Sequence, residues 1–255
     1  MSRNFELLHQ LGKANEVLNT ETKLVESTVE PVEGHSLPAG SPSLEVDPKT
    51  REELVKLVQR LFLRPGADGV RRVVFGGSEP GHACTWITSR VAEILASQTH
   101  GSVCVVDCDL RTPSLHEQFQ VGNHYGLADA LGGEAPIRQY AQPLSRPNLW
   151  LVSCGSITES SLELSHSERM RRRMADLRSQ FTFVIVDGGS FSVSTAPMFL
   201  GGLTDGVILV LKANSTRRDA TRELKQQLQT SNVPLLGAVL NQRTFPIPEK
   251  IYKKL

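Results

Sequence analysis

Two hydrophobic rhythms alternate along most of this chain. From Arg72 onward, short runs of consecutive apolar residues are separated by longer stretches with helical periodicity. The runs Val73–Phe75, Val103–Val106, Leu149–Val152, Phe183–Val186, Val207–Leu211 and Gly237–Leu240 predict strands. Because successive residues in each run are apolar, both faces of such a strand are buried, which implies a parallel sheet covered by helices. Between the runs, Thr85–Gln98, Ser167–Ser179 and Arg217–Gln229 predict those helices. The alternation predicts an α/β, doubly wound fold: a mostly parallel sheet with helices on both faces. Ligands of such folds lie at the carboxyl ends of the strands.

The pattern upstream is different. Arg3–Leu18 predicts a short helix with Phe5, Leu8, Leu11 and Leu18 loosely on one side. The stretch from Thr20 to Pro48 is rich in Pro, Ser, Gly and Glu without periodicity, and predicts a flexible linker. Lys49–Leu63 then predicts a helix with Leu54, Leu57, Val58, Leu61 and Phe62 on its apolar face, ended by Arg64-Pro65-Gly66. The expected organisation is an N-terminal helix (1–19), a linker (20–48), one domain (49–245) and a C-terminal tail (246–255).

Composition adds limits. The chain has 255 residues, 39% of them hydrophobic, enough for one large domain with a real core. A net charge of +1 gives no electrostatic reason to expect nucleic acid. No apolar run approaches the roughly 20 residues of a membrane helix, and the first residues lack the apolar core of a secretory signal. The expected location is the cytoplasm. The four cysteines, Cys84, Cys104, Cys108 and Cys154, show no metal-ligand spacing and read as reduced, mostly buried thiols.

Candidate chemistry clusters just after the strands. The first strand runs through Gly76-Gly77-Ser78-Glu79-Pro80-Gly81-His82-Ala83-Cys84-Thr85-Trp86 into a helix. A strand, a glycine-containing loop and a helix start frame a phosphate site, where backbone N–H groups and the helix dipole face an anion. They are also an ordinary connection, and the loop alone does not separate the two. A working phosphate loop needs a glycine for close approach, a lysine for phosphate charge and a hydroxyl for magnesium. Thr85 supplies the hydroxyl, whereas Ala83 replaces the glycine and Cys84 the lysine. Cys84 at a helix start would have its thiolate favoured by the dipole, unless it is buried and inert.

The second strand ends in Asp107-Cys108-Asp109-Leu110-Arg111. Carboxylates there must be solvated, paired or bound to a metal such as magnesium. Asp109 has two other readings: a cap for a helix starting near Pro113, or a partner for Arg111. Asp187 closes the next buried strand before Gly188-Gly189, a position that organises magnesium in phosphate-loop proteins but is also common before a plain glycine turn. Asn241 closes the last strand, where an amide can meet an adenine edge or merely sit in a turn.

Taken together, these residues resemble the cytoplasmic domains of bacterial exopolysaccharide and capsule tyrosine kinases, and more distantly the partition and division-site ATPases of the deviant P-loop class. The run Asp107-Cys108-Asp109-Leu110-Arg111-Thr112-Pro113-Ser114-Leu115-His116 carries most of the resemblance, followed by Gly126-Leu127-Ala128-Asp129. The likeness spans roughly Lys49 to Asn241. It implies a P-loop NTPase fold, ATP or ADP with Mg2+ as cofactor, and Gly81, His82, Ala83, Cys84, Thr85 and Asn241 as nucleotide-binding positions. It implies catalytic roles for Asp107, Asp109 and Asp187, with Thr85, Asp107 and Asp187 organising the metal. Glu53, Lys56 and Arg60 partly fit the family's oligomerisation pattern, which implies a homo-oligomer, and the usual partner is a membrane chain-length adaptor protein.

Two departures redirect the functional expectation. The phosphate lysine is Cys84, and the family's C-terminal tyrosine cluster is reduced to Tyr252. The expected function is a kinase-like cytosolic regulator or scaffold of exopolysaccharide biosynthesis and export, with lost or weak tyrosine kinase activity. The alternatives are an active autokinase or ATPase with a non-standard loop, and a partition-type positioning ATPase. Trp86 at the helix start either fills the phosphate space or faces the core.

Overall fold

A computed structural model describes residues 46–63, 69–81, 83–159, 161 and 167–242. The expected N-terminal helix, most of the linker, His82 and the C-terminal tail with Tyr252 lie outside the described residues.

Asp47 caps the first described helix by accepting from the Thr50 amide at 3.1 Å, and Pro48 opens it, where a missing N–H costs nothing. The helix is α1 (Pro48–Phe62), so the linker expected to reach residue 48 gives way to structure at Asp47. Then follow β1 (Arg72–Gly77), α2 (Cys84–Gln98), β2 (Val103–Asp107), α3 (Leu115–Phe119), α4 (Leu127–Gly132), a 3-10 turn (Ile137–Tyr140), β3 (Gln142–Pro143) and β4 (Leu149–Val152). The remainder is α5 (Glu168–Gln180), β5 (Phe183–Ser190), α6 (Ala196–Gly201), β6 (Val207–Lys212), α7 (Arg218–Thr230) and β7 (Leu235–Asn241).

Seven strands form one sheet in the order β3-β4-β2-β5-β1-β6-β7. All neighbours pair in parallel except β3, which runs antiparallel to β4. Alternate residues feed two separate cores. Val74, Cys104, Val106 and Val184 pack on one face with Leu131, Met170, Leu177 and Leu228. Val73, Phe75, Val105 and Ile185 pack on the other with Leu54, Val58, Ile87 and Leu95. This two-sided burial is what consecutive apolar residues demand. Strand β5 inserts between β1 and β2, so the loops leaving β1, β2 and β5 converge at one carboxyl edge.

A buried arginine fixes the edge beyond β4. Arg173 donates to the carbonyls of Ala130, Gly133 and Ala135 at 2.8, 2.6 and 2.8 Å, and Arg169 to that of Leu131 at 3.0 Å. Ala130 and Leu131 carry carbonyls left free in the last turn of α4, and Gly133 and Ala135 belong to the segment that follows it.

Candidate functional site

Two described residues of the loop after β1 have positive φ. Gly81 has φ +76°, and Ala83 is left-handed at φ 59°, ψ 35°. An alanine meets a steric penalty in that conformation which a glycine does not. Helix α2 starts at Cys84 without a side-chain cap, so its first amides face the site unclaimed by any side chain. Beyond its chain neighbours, a Cβ placed on Gly81 would meet nothing within 4 Å. Trp86 packs against the core shared by α1 and α2 rather than filling the phosphate space.

Asp107 and Asp187 are both fully buried and stand opposite one another on β2 and β5. Asp107 accepts from the amides of Ser114 and Leu115 at 3.1 and 3.0 Å through one oxygen and of Asp109 at 3.2 Å through the other. It therefore anchors the start of α3. Asp109 does not cap that helix, nor does its carboxylate meet the Arg111 guanidinium. It closes its own turn, accepting from the amides of Arg111 and Thr112 at 3.2 and 3.1 Å and from the Thr112 hydroxyl at 2.8 Å. Asp109 also leans on the neighbouring strand: a Cβ on Gly189 would come within 2.6 Å of its carboxyl carbon.

Asp187 is not followed by a plain glycine turn. Strand β5 continues through Gly188 and Gly189 to Ser190, with a bulge in its register against β1. One carboxylate oxygen of Asp187 accepts from the Gly189 amide at 3.2 Å, while the other, Oδ2, is buried without a hydrogen-bond partner. The Thr85 hydroxyl and the Cys84 thiol lie close enough to favour its charged form, yet neither meets Oδ2 in hydrogen-bond geometry. The Ser114 hydroxyl donates to that of Thr85 at 3.3 Å, tying the loops after β1 and β2 together.

The electrostatics follow from burial. Desolvation, then the charge of Asp187, pushes the Asp107 carboxyl well above its ordinary range against the pull of the Leu115 amide. Asp187 is likewise raised by burial, opposed by Thr85, Gly189 and Cys84. Cys84 is half-buried by surface, but its thiol is enclosed. Burial and the Asp187 charge raise it, so the helix dipole does not make it acidic. Among the described residues, no ion pair involves Asp107, Asp109 or Asp187.

Asn241 ends β7, two strands from β1, opposite Lys212. Glu53, Lys56 and Arg60 are exposed on α1, where Lys56 pairs with Glu52 at 2.8 Å and Glu53 at 2.9 Å. Two site residues were not foreseen. Ser114 bridges to Thr85, and the Phe191 ring lies against Gly76 while its amide donates to the Gly77 carbonyl at 2.9 Å. Ser114 lies in the motif run, but nothing in that run points to Thr85, and Phe191 carries no motif signal.

The fit to Mg-ATP is mixed. The Thr85 hydroxyl suits a phosphate-bound metal, but the charge does not: Cys84 brings no cation, and among the described residues no lysine pairs with Asp107, Asp109 or Asp187. Among the described residues, no three His, Cys, Asp or Glu side chains are placed to hold a metal ion.

The sheet order, the loop and the strand-end carboxylates define a P-loop NTPase fold. The kinase domain of Escherichia coli tyrosine kinase ETK matches it with TM-score 0.71 and 21% identity over 86% of this chain and 88% of that one. The VpsO kinase domain matches with TM-score 0.68 and 25% identity over 78% and 98%. MinD of Pyrococcus horikoshii, solved with Mg-ADP, gives TM-score 0.59 at 18% identity over 72% and 76%.

In sequence, the chain is 26% identical over 172 residues to tyrosine-protein kinase YwqD of Bacillus subtilis, covering 68% of this chain and 72% of that protein. It is 27% identical over 166 residues to tyrosine-protein kinase wzc of Salmonella typhimurium, covering 65% of this chain but only 23% of that longer protein. No family model matches. The chain is a homologue of the bacterial tyrosine-protein kinases.

Proposed function

We propose that this chain is a kinase-like regulator or scaffold of exopolysaccharide assembly, whose nucleotide pocket has lost the charge that ATP requires. The observation that carries this reading is Cys84. At the position of the phosphate lysine it presents a protonated thiol to the buried Asp187, leaving three carboxylates without an ion pair among the described residues. Phosphoryl transfer depends chiefly on electrostatic stabilisation of the moving charge, and one missing donor commonly costs about 3 kcal/mol. Among the described residues, no helix is long and apolar enough to cross a membrane. Attachment to the cytoplasmic face of the membrane would then run through an adaptor protein with a cytoplasmic tail.

The helix start at Cys84 and the Thr85 hydroxyl favour a second reading, a weak ATPase or autokinase whose missing cation comes from Arg111 or a neighbouring subunit. Calorimetric titration with Mg-ADP separates the two. Weak or undetectable binding is expected, and a dissociation constant below about 1 μM sinks the first reading. The partition-type alternative is less favoured, since the kinase domains superpose better than MinD does.

A further inference from the structure

We propose that β7 is a dimerisation edge: two copies of this chain pair their β7 strands antiparallel about a two-fold axis, joining their sheets into one. The inference stands whether or not nucleotide binds.

The two edges of the sheet differ. Strand β3 closes one edge with only two residues, one of them Pro143, which discourages a further strand. Strand β7, at the other edge, has seven residues, Leu-Leu-Gly-Ala-Val-Leu-Asn, with no charge and no proline. Its register against β6 is unbroken from Gly237 to Asn241, and among the described residues no strand pairs with its outer side. A bare apolar edge of that kind is a ready template for another strand.

The ladder decides which groups face outward. The Ala213 amide donates to the Asn241 carbonyl at 2.9 Å, so Asn241 faces β6. Alternate residues of a strand bond a given parallel neighbour, so Gly237 and Val239 face β6 too, while Ala238 and Leu240 turn their N–H and C=O outward. The same two residues are exposed, Leu240 to 53% despite its apolar side chain. In register with Leu209 and Leu211, they lie on the sheet face that α7 covers. Helix α7 buries only Leu224 and Leu228 there, which leaves the end of β7 uncovered.

A second copy fits this edge. Pairing Ala238 with Leu240 of the other copy, and Leu240 with its Ala238, gives all four outward groups of each strand a partner. Val239 then meets its own equivalent on the axis, and each Leu240 side chain lies beside an Ala238 methyl. Because β7 carries no charge, the two strands oppose no like charges. The contact is self-complementary, and it stops at two copies because the β3 edge is blunted. Its small area suits a transient dimer, with a dissociation constant of about 10 μM.

Sedimentation velocity on the full chain should show monomer giving way to dimer as concentration rises through that value. Leu240→Lys places a charge on the edge, and Ala238→Pro removes an outward donor without removing a bond to β6. Each should weaken the dimer at least about tenfold, with melts establishing that both variants are folded. Disulfide trapping reads the register independently. Val239→Cys should cross-link two copies under mild oxidation, since residues opposite one another in a non-hydrogen-bonded pair lie about 4.5 Å apart at Cα, within disulfide reach. Leu240→Cys, though more exposed, should not, because its equivalent lies diagonally across, about 7–8 Å away. The proposal fails if wild type stays monomeric to about 100 μM, if both folded edge variants dimerise as wild type does, or if Leu240→Cys cross-links as readily as Val239→Cys.

Discussion

Asp107 and Asp187 face one another in register across two adjacent parallel strands, both without solvent exposure. Each raises the cost of ionising the other. Both carboxyls are held above the ordinary value of about 3.9 by burial, and Asp107 further by the charge of Asp187. A native acid with a raised pKa binds protons more tightly than the unfolded chain does. Its contribution to stability is therefore complete below the unfolded pKa and lost as pH rises through the folded pKa. Melting temperature should fall as pH climbs from about 4 through those raised values, and Asp187→Asn should flatten that fall. An unchanged slope in the variant would show that Asp187 is not the group responsible.

Ala83 carries a second prediction. Its left-handed backbone disfavours a Cβ by about 1–2 kcal/mol, offset in part by the extra freedom glycine gives the unfolded chain. Ala83→Gly should stabilise the protein by about 1 kcal/mol in urea denaturation. A destabilised variant would mean that the methyl makes a contact worth more than the strain.

Cys84 should be a slow thiol. Burial and the Asp187 carboxylate both raise it. A disulfide reagent should therefore modify native Cys84 far more slowly than the unfolded chain. Asp187→Asn should speed that reaction by removing the neighbouring charge. Equal rates in native and unfolded protein would show an accessible, unperturbed thiol.

Arg173 is a structural arginine among several exposed ones on α5. It satisfies three carbonyls, one in the last turn of α4 and two in the segment after it, and lies over Tyr140 at 5.7 Å. Arg173→Leu should cost about 3 kcal/mol, measured by chemical denaturation. Arg173→Lys should recover only part, because an ammonium cannot span three carbonyls as a planar fork does.

The long elements were legible because their signals are repeated. Six apolar runs became strands, and the predicted helices beginning near Lys49, Thr85, Ser167 and Arg217 match α1, α2, α5 and α7 to within about two residues, the usual uncertainty of helix ends. What escaped was short. Strand β3 has two residues, one a proline, and exists by pairing with β4; α3, α4 and α6 have five or six residues, under two turns, too few to show a helical period. At the site, residue types located Asp107, Asp109 and Asp187 but not their partners. Asp107 anchors α3 through residues seven and eight positions away, a contact set by the turn between them. Gly188-Gly189 looked like a turn because glycine serves equally in turns and bulges, and the pairing of β5 with β1 decides between them.

The double variant Ala83→Gly, Cys84→Lys tests how much of the nucleotide site survives. Its rationale is local. The glycine relaxes a backbone already in the required left-handed conformation, and the lysine places an ammonium beside Thr85 and Asp187. Trp86 need not be changed, since it packs on the α1–α2 core, and Trp86→Thr should destabilise the fold instead of opening the loop. Without nucleotide, the double variant should melt above wild type. With magnesium present it should bind ATP more tightly, by about ten- to a hundredfold if the ammonium contributes about 1.5–3 kcal/mol to a phosphate contact. Hydrolysis demands tighter placement than binding and is not expected to return with it. Wild type and double variant titrated side by side, after melts establish that both are folded, decide the matter. Equal, negligible affinity would mean that the three carboxylates and Asn241 no longer form a nucleotide pocket even when its loop is repaired.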